Sequence, residues 1–201
     1  MVRIELKQLL AGALLALTLP FAAHAGDAHI SAAPQAENVN NWDANPFTLK
    51  YADGRTLSSD SLRGKMVFID AWATWCPPCM PSLPKFAEIY EKNLGNPYVK
   101  AISVHLSDRY GRFDNAGAFL RSKGLYYPVL QDPDATLIEN LDVVPITTAV
   151  PHYVLLDGTG KIIRRYGEIN DKVIMDVQNN FDSHSKAMRS NARLANSSQN
   201  P

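Results

Sequence analysis

The segment KMVFIDAWATWCPPC, residues 65–79, decides the fold. Its first part, Lys65 to Trp72, is a nearly continuous apolar run, which is typical of a strand buried on both faces of a parallel or mixed sheet. Cys76 and Cys79 follow a few residues later, where the strand gives way to a helix. A CxxC pair at a strand-to-helix junction indicates a redox-active dithiol.

The position of the two cysteines favours thiol chemistry. Cys76 lies at the predicted helix start, where unpaired N–H groups and the positive end of the helix dipole favour the thiolate. The chain has no other cysteine, which excludes a scaffold held by several disulfides and a zinc site built from cysteines alone. Two other interpretations of the cysteine pair remain open. The pair could form a purely structural disulfide, or it could be half of a metal site completed by His105 or His152.

On either side of residues 65–79, the pattern of apolar residues predicts alternating strands and helices. A front hairpin turns at Asp53-Gly54, and a second hairpin turns within residues 157–160. This order predicts an α/β domain with a mixed central sheet flanked by helices and an added N-terminal β-hairpin. The predicted strands cover residues 46–51, 56–57, 65–72, 98–106, 127–130, 150–156 and 161–166, and the predicted helices begin near residues 83, 114, 134 and 173.

The two ends of the chain are predicted to lie outside the domain, which covers residues 46–182. Residues 1–25 combine Arg3 and Lys7 with an apolar run and end in Ala-His-Ala, which indicates a cleaved secretory signal rather than a membrane anchor. Residues 26–45 are polar without periodicity and predict a flexible tether. Residues 183–201 are polar and predict a disordered tail. We therefore expect an exported, periplasmic protein that is soluble after cleavage.

Charge and composition exclude several kinds of partner. Among 201 residues, 20 are Lys or Arg and 20 are Asp or Glu, so no excess of positive charge attracts nucleic acid. Hydrophobic residues make up 46% of the chain, which is ordinary for a globular protein. We expect a monomer that binds no nucleic acid and no metal.

Residues 68–79, FIDAWATWCPPC, resemble the active-site strand and helix start of thioredoxin-fold proteins, in particular of the exported TlpA/ResA-like branch. The resemblance extends from about Phe47 to Phe181 and includes the segments 62–65, 102–104 and 151–158. It implies a thioredoxin-like fold and thiol-disulfide exchange with protein substrates outside the cytoplasm. It also implies a membrane thiol-reducing protein as electron donor and no dissociable cofactor.

The same resemblance assigns roles to individual residues. Cys76 matches the attacking cysteine and Cys79 the resolving one. Pro151 matches a cis-proline that faces the disulfide, although composition alone predicts a trans proline at a strand entry. Pro84 matches a proline that kinks the active-site helix. The surface that meets the substrate is then formed by Trp75, Pro77, Pro78, Val150 and Pro151.

Two positions depart from the TlpA/ResA-like pattern. Ser82 stands where that branch carries a glutamate, whereas Asp70 matches the buried aspartate of thioredoxin itself. A carboxyl group within the apolar strand would be desolvated, which raises its pKa toward the range useful for accepting a proton from Cys79. The alternative for Asp70 is a structural carboxylate with an ordinary hydrogen bond.

The predicted function is an exported thiol-disulfide oxidoreductase that reduces protein disulfides through the Cys76/Cys79 dithiol. Prolines at both intervening positions offer no N–H to the Cys76 thiolate, which favours a reducing pair. The alternatives are a disulfide oxidase or isomerase on the same fold, a copper or zinc metallochaperone, and a peroxidase. A peroxidase would require a threonine where this chain has Ala73.

Overall fold

A computed structural model describes residues 46–108, 110, 112–141 and 150–198, all of which belong to one compact unit. Its centre is a seven-stranded sheet in the order β2-β1-β5-β4-β3-β6-β7. The predicted signal and tether, residues 1–45, lie outside the described residues. The strands are β1 (Thr48–Tyr51), β2 (Thr56–Ser58), β3 (Met66–Trp72), β4 (Val99–His105), β5 (Val129–Gln131), β6 (His152–Leu156) and β7 (Ile162–Tyr166).

The sheet is mixed, as the sequence predicts. Strand β3 runs parallel to β4 and antiparallel to β6, and β4 runs parallel to β5. The N-terminal hairpin of β1 and β2 joins the sheet through an antiparallel pairing of β1 with β5. Every residue of β3 is buried. Because β3 lies in the centre of the sheet, its sequence is a nearly continuous apolar run rather than an alternation of apolar and polar residues.

The two faces of the sheet carry separate cores, because successive side chains of a strand point to opposite faces. One face, which we call the cysteine face, holds Phe68 and Trp72 of β3 together with both cysteines. The opposite face holds Val67, Ile69 and Ala71 of the same strand. By this alternation Asp70 belongs to the cysteine face. The helices of the domain are α1 (Leu83–Lys92), α2 (Ala116–Ser122), α3 (Thr136–Asn140) and α4 (Asp171–Ser197).

The segment after Cys76 differs from the single kinked helix implied by the family resemblance. Residues Pro77–Ser82 form a 3-10 helix, and α1 begins only at Leu83. Pro84 therefore lies in the first turn of α1 rather than in the interior of a helix. Proline is tolerated there because the first-turn N–H groups have no partner within the helix. The change of direction at this point is a 3-10 to α transition.

The last helix is longer than predicted. We expected residues 183–201 to be disordered, but α4 continues to Ser197. Asn170 caps the start by accepting a hydrogen bond from the Val173 N–H at 3.1 Å, and burial of α4 side chains ends at Ser185. Beyond that point no apolar face is needed for packing, so periodicity gives no signal. Alanine, methionine, leucine, lysine and arginine, all good helix formers, continue the helix in solvent.

Candidate active site

Cys76 and Cys79 form a disulfide at the carboxyl end of β3. Cys76 caps the start of the 3-10 helix Pro77–Ser82, and Cys79 lies within it. The exposed fraction is 3% for Cys76 and 0% for Cys79, so both residues are buried in the disulfide form. Around them Trp75 is 42% exposed, and Pro77 and Pro78 are exposed as well.

Residues 150–151, which lead into β6, form a wall beside the disulfide. The Val150–Pro151 peptide bond is cis, in agreement with the conformation that the family resemblance implies. The Val150 carbonyl oxygen lies 3.5 Å from the Cys76 sulfur. A disulfide sulfur has no proton to donate, so in the oxidised protein this distance is a contact rather than a hydrogen bond. The structure thus brings Cys76, Val150 and Pro151 together.

Few N–H groups are free to stabilise a thiolate at Cys76. Pro77 and Pro78 have none, and the Cys79 N–H donates to the Cys76 carbonyl oxygen at 3.1 Å. The donors that a helix start normally offers to an anion are therefore missing or engaged. The support for the Cys76 thiolate is weaker than a helix N-terminus of ordinary sequence would provide.

Asp70 lies in the central strand β3, on the same face of the sheet as the two cysteines. It is fully buried, and neither carboxyl oxygen has a hydrogen-bond partner within the part of the chain that the structure describes. Its neighbours in register are Ser103 on β4 and Tyr153 on β6. Burial raises the pKa of Asp70 to about 8, because the charged form loses its hydration without compensation. Asp70 is therefore a carboxyl group that exchanges a proton near neutral pH.

A chain of two hydroxyl groups ends on Cys79. The Tyr153 hydroxyl donates to the Ser82 hydroxyl oxygen at 2.6 Å, and the Ser82 hydroxyl donates to the Cys79 carbonyl oxygen at 2.7 Å. Both side chains are buried. In the sequence, Ser82 is notable only because it departs from the family pattern. The spacing of Ser82 and Cys79 allows a local side-chain hydrogen bond, whereas no local signal points to Tyr153.

A second polar cluster, also missed by the sequence analysis, supports the loop before Cys76. His105 is buried at the end of β4, and its Nε2 atom lies 3.0 Å from Asp114. The Thr74 hydroxyl also donates to Asp114, and the His105 ring makes an edge contact with Trp72. Burial lowers the pKa of His105, while the Asp114 charge opposes the shift. The contacts of His105 and Thr74 with Asp114 tie the loop before Cys76 to the end of β4.

The structure gives no geometric support for the metal-binding alternatives. Within residues 46–108, 110, 112–141 and 150–198, no three His, Cys, Asp or Glu side chains are grouped so that they could hold a metal ion. The two sulfurs are joined to each other, and the His105 Nε2 atom faces Asp114 rather than the cysteines. Nor does any helix in these ranges have the length and apolar character needed to cross a membrane.

A mixed sheet with this strand order, a CPPC disulfide at the end of its central strand and a cis-proline beside that disulfide define the class of thioredoxin-fold thiol:disulfide oxidoreductases. Comparison with known proteins narrows the class. The profile of the Redoxin family matches residues 32–180. The chain therefore belongs to the Redoxin family, and its relatives place it with the TlpA/ResA-like thioredoxin-fold proteins.

These relatives share the activity as well as the fold. The thiol-disulfide oxidoreductase ResA of Bacillus subtilis is 30% identical over 138 residues, which cover 68% of this chain and 73% of ResA. The sporulation thiol-disulfide oxidoreductase A of the same organism is 26% identical over 130 residues, covering 65% of this chain and 75% of the relative. Among solved structures, the exposed lipoprotein thioredoxin Etrx1 of Streptococcus pneumoniae is 31% identical in sequence to this chain, and its crystal structure superposes with a TM-score of 0.52. The match covers 66% of this chain and 96% of Etrx1. The protein is a thiol:disulfide oxidoreductase.

Proposed function

We propose that this protein works outside the cytoplasm, where it reduces disulfide bonds in protein substrates through the Cys76/Cys79 pair. The observation that carries the proposal is the disulfide itself, which lies at a surface formed by exposed Trp75, Pro77 and Pro78 and contacts the Val150 carbonyl. A structural cross-link would have no need of this setting. It would also gain little, because so short a loop removes little entropy from the unfolded chain.

The two cysteines act in sequence. The Cys76 thiolate attacks one sulfur of the substrate disulfide, which forms a mixed disulfide and releases the other substrate sulfur as a thiolate. The Cys79 thiol then loses its proton and attacks the Cys76 sulfur. The Cys76–substrate bond breaks, the second substrate sulfur leaves as a thiolate, and the Cys76–Cys79 disulfide forms. The substrate gains two electrons and, from solvent, two protons.

Asp70 accepts the proton that Cys79 must lose. The carboxyl group shares the cysteine face with Cys79, lacks other partners in the described part of the chain, and has a pKa of about 8. With that pKa the carboxyl group is mostly protonated at pH 7, so the ionised fraction accepts the Cys79 proton, and this step should become faster as the pH rises toward 8. The absence of an ordinary hydrogen bond at Asp70 argues against the purely structural alternative.

The substrate chain lies along the wall formed by Val150 and Pro151. An extended polypeptide can pair its backbone with that of Val150 in the manner of an added strand, which brings its disulfide to Cys76. Trp75, Pro77 and Pro78 supply the apolar rest of this surface. Contacts of this kind select a polypeptide in extended conformation rather than a small thiol.

The direction of transfer follows from the weak support for the Cys76 thiolate. A pair becomes a strong oxidant when its reduced form is stabilised, as in DsbA. Here the two prolines offer no donor, and the Cys79 N–H is engaged with the Cys76 carbonyl. The pair should therefore lie nearer to thioredoxin, at about −270 mV, than to DsbA, at about −120 mV.

Export and reduction by a membrane partner complete the proposal. The apolar run within residues 1–25 supports cleavage of a secretory signal after Ala25, which would leave a periplasmic monomer. A membrane thiol-reducing protein would then return the disulfide to the dithiol. Expression of the full chain in a bacterium tests this part, because a product that retains Met1 and stays in the cytoplasm would contradict it.

The roles of the cysteines are tested by trapping. Cys79→Ser should accumulate a mixed disulfide with a reporter protein, whereas Cys76→Ser should form none, because only Cys76 attacks the substrate. Brief alkylation of the reduced wild-type protein should label Cys76 first. Trapping through Cys79 in the Cys76→Ser variant would reverse the assignment.

The direction is tested by equilibrating the protein with graded thiol buffers and measuring the fraction of disulfide. We expect a potential near that of thioredoxin. A potential above roughly −160 mV would make the protein an oxidase, whatever the roles of the two cysteines.

A further inference from the structure

Two buried hydroxyl groups connect the turn that carries Cys79 to the strand that follows the cis-proline. Tyr153 is the second residue of β6, and its hydroxyl reaches Ser82 at the end of the 3-10 helix. The Ser82 hydroxyl in turn reaches the Cys79 carbonyl oxygen. We propose that Tyr153 and Ser82 are positioning residues, which hold the Cys79 turn so that the resolving sulfur faces the Cys76 sulfur in the mixed disulfide.

The sequence of the turn explains why it needs this support. The 3-10 helix PPCMPS has proline at positions 77, 78 and 81, each of which removes a backbone N–H donor. Pro84 removes a further donor at the start of α1. A turn so poor in backbone donors depends more than usual on side-chain hydrogen bonds to its carbonyl groups. Ser82 supplies such a bond at the residue that carries the resolving sulfur.

The direction of the two hydrogen bonds makes them interdependent. A hydroxyl group has one proton, and the proton of Ser82 is used on the Cys79 carbonyl oxygen. The short contact with Tyr153 therefore has the phenol as donor and Ser82 as acceptor. Burial raises the pKa of Tyr153, so the phenol remains a donor throughout the physiological range. Loss of either hydroxyl breaks the same chain.

The position of this chain assigns it to one step of the reaction. It ends on Cys79, whereas Cys76 contacts the Val150 carbonyl and donates its N–H to the Ala73 carbonyl. Attack on the substrate by Cys76 requires no movement of the Cys79 turn. Resolution of the mixed disulfide requires the Cys79 sulfur to be aligned with the Cys76 sulfur, and small errors in alignment slow such a step strongly.

Tyr127 offers a matched control on the same face of the sheet. It is a buried tyrosine whose hydroxyl donates to the Leu83 carbonyl oxygen, but at 3.4 Å, a weak contact. Leu83 is the first residue of α1 and lies beyond the Cys79 turn. Tyr127→Phe removes the same chemical group from the same core without touching the chain of hydroxyls.

The experiment separates the two steps of one turnover. This inference rests on the proposed function, in which Cys76 attacks and Cys79 resolves. Reduced protein is mixed with dithiobis(nitrobenzoate), an aromatic disulfide that releases one coloured thiolate on attack and a second on resolution. We expect Tyr153→Phe and Ser82→Ala each to slow the second release about tenfold, the effect of losing one hydrogen bond of ordinary strength, and to leave the first release unchanged.

Three further measurements exclude a merely structural effect. The double variant should be slowed by the same tenfold as each single variant, because both substitutions break one chain. Tyr127→Phe should remain within twofold of the wild type. The midpoint of the pH dependence of the second release should be unchanged in Tyr153→Phe, because the residue acts by position and transfers no proton.

Several results would overturn the inference. These are an unchanged second release in both single variants, independent effects that multiply in the double variant, an equal slowing by Tyr127→Phe, or a parallel slowing of the first release. The wild type serves as a separate check on the proposed function. If it releases only one thiolate, the assignment of Cys76 and Cys79 fails irrespective of Tyr153.

Discussion

Among the described residues two aspartates are buried, Asp70 on the cysteine face and Asp132 beside α3, and their surroundings differ. Asp70 on the cysteine face has no hydrogen-bond partner for either oxygen within the described residues. Asp132 follows β5, and its Oδ2 atom accepts a hydrogen bond from the Ile138 N–H at 3.0 Å. The Leu137 N–H also binds this carboxyl group. Asp132 thereby accepts hydrogen bonds from N–H groups at the start of α3, where Ala135 provides no side-chain cap.

The pKa of both groups is raised by burial, but only one shift is opposed. The N–H groups of Ile138 and Leu137 favour the charged form of Asp132 and work against desolvation. Asp70 has no such compensation, so its pKa reaches about 8. Burial alone therefore does not identify a functional carboxyl group. A buried acid whose oxygens are left unbound is the one available for proton transfer.

The largest expected effect is on stability. The pKa of Asp70 is raised in the folded state, so the fold holds its proton between about pH 4 and pH 8 while the unfolded chain has lost it. The free energy of unfolding should therefore fall as pH rises through this window, by at most about 1.4 kcal/mol per pH unit from this group. Asp70→Asn removes the charge and should be more stable than the wild type at pH 8, by at most about 5 kcal/mol over the whole window.

This prediction is measured by denaturant unfolding of the oxidised protein at several pH values. Asp132→Asn is the control, since it should retain most of the pH dependence of the wild type. Curves for Asp70→Asn that run parallel to those of the wild type from pH 4 to pH 8 would show that Asp70 does not titrate in this range.

The next effect is on the rate of exchange. If Asp70 accepts the Cys79 proton, Asp70→Asn should slow resolution of the mixed disulfide 10- to 100-fold near pH 7, within the range typical of general base catalysis. Attack by Cys76 should be unaffected. Asp132→Asn should leave both steps unchanged, because it lies beside α3 and away from the cysteine face. Rates of Asp70→Asn that match the wild type across pH 6 to 8 would reduce Asp70 to a structural residue.

The smallest expected effect is on the stability of Asp132 variants. It tests whether this position needs a negative charge or only a hydrogen-bond acceptor. Asp132→Ala should lower the free energy of unfolding by about 1 kcal/mol, because two backbone N–H groups of α3 lose their acceptor. Asp132→Asn should cost clearly less, since asparagine is as good a cap as aspartate. Equal losses in the two variants at pH 7 would indicate that the charge of Asp132 matters, and the contrast with Asp70 would disappear.

The fold and the reactive pair were predictable because their signals are local. The apolar run of β3, the Asp53-Gly54 turn and the CPPC sequence each carry their meaning within a few residues. The burial of Asp70 followed from the same run. The length of α4 was mispredicted because apolar periodicity reports packing, and the last turns of that helix are exposed.

The supporting contacts were not predictable because they depend on tertiary register. Ser82 and Tyr153 are 71 positions apart, and Thr74 and His105 are 31 positions apart. Their meeting requires β6 and β4 to pair with β3 in one particular register. That Asp70 has no hydrogen-bond partner in the described ranges is a property of the surrounding side chains, which the sequence of its own strand does not contain.

The prolines between the cysteines have a consequence for the lifetime of the mixed disulfide. Pro77 and Pro78 fix φ at both intervening positions, so the reduced segment has few conformations to lose when the ring closes. The Cys79 thiol is therefore present near Cys76 at a high effective concentration, as in a well-oriented intramolecular reaction. An external thiol at cellular concentration cannot compete with such a neighbour. The mixed disulfide with a substrate should therefore be short-lived. Attack by Cys79 should resolve it far more often than attack by an external thiol.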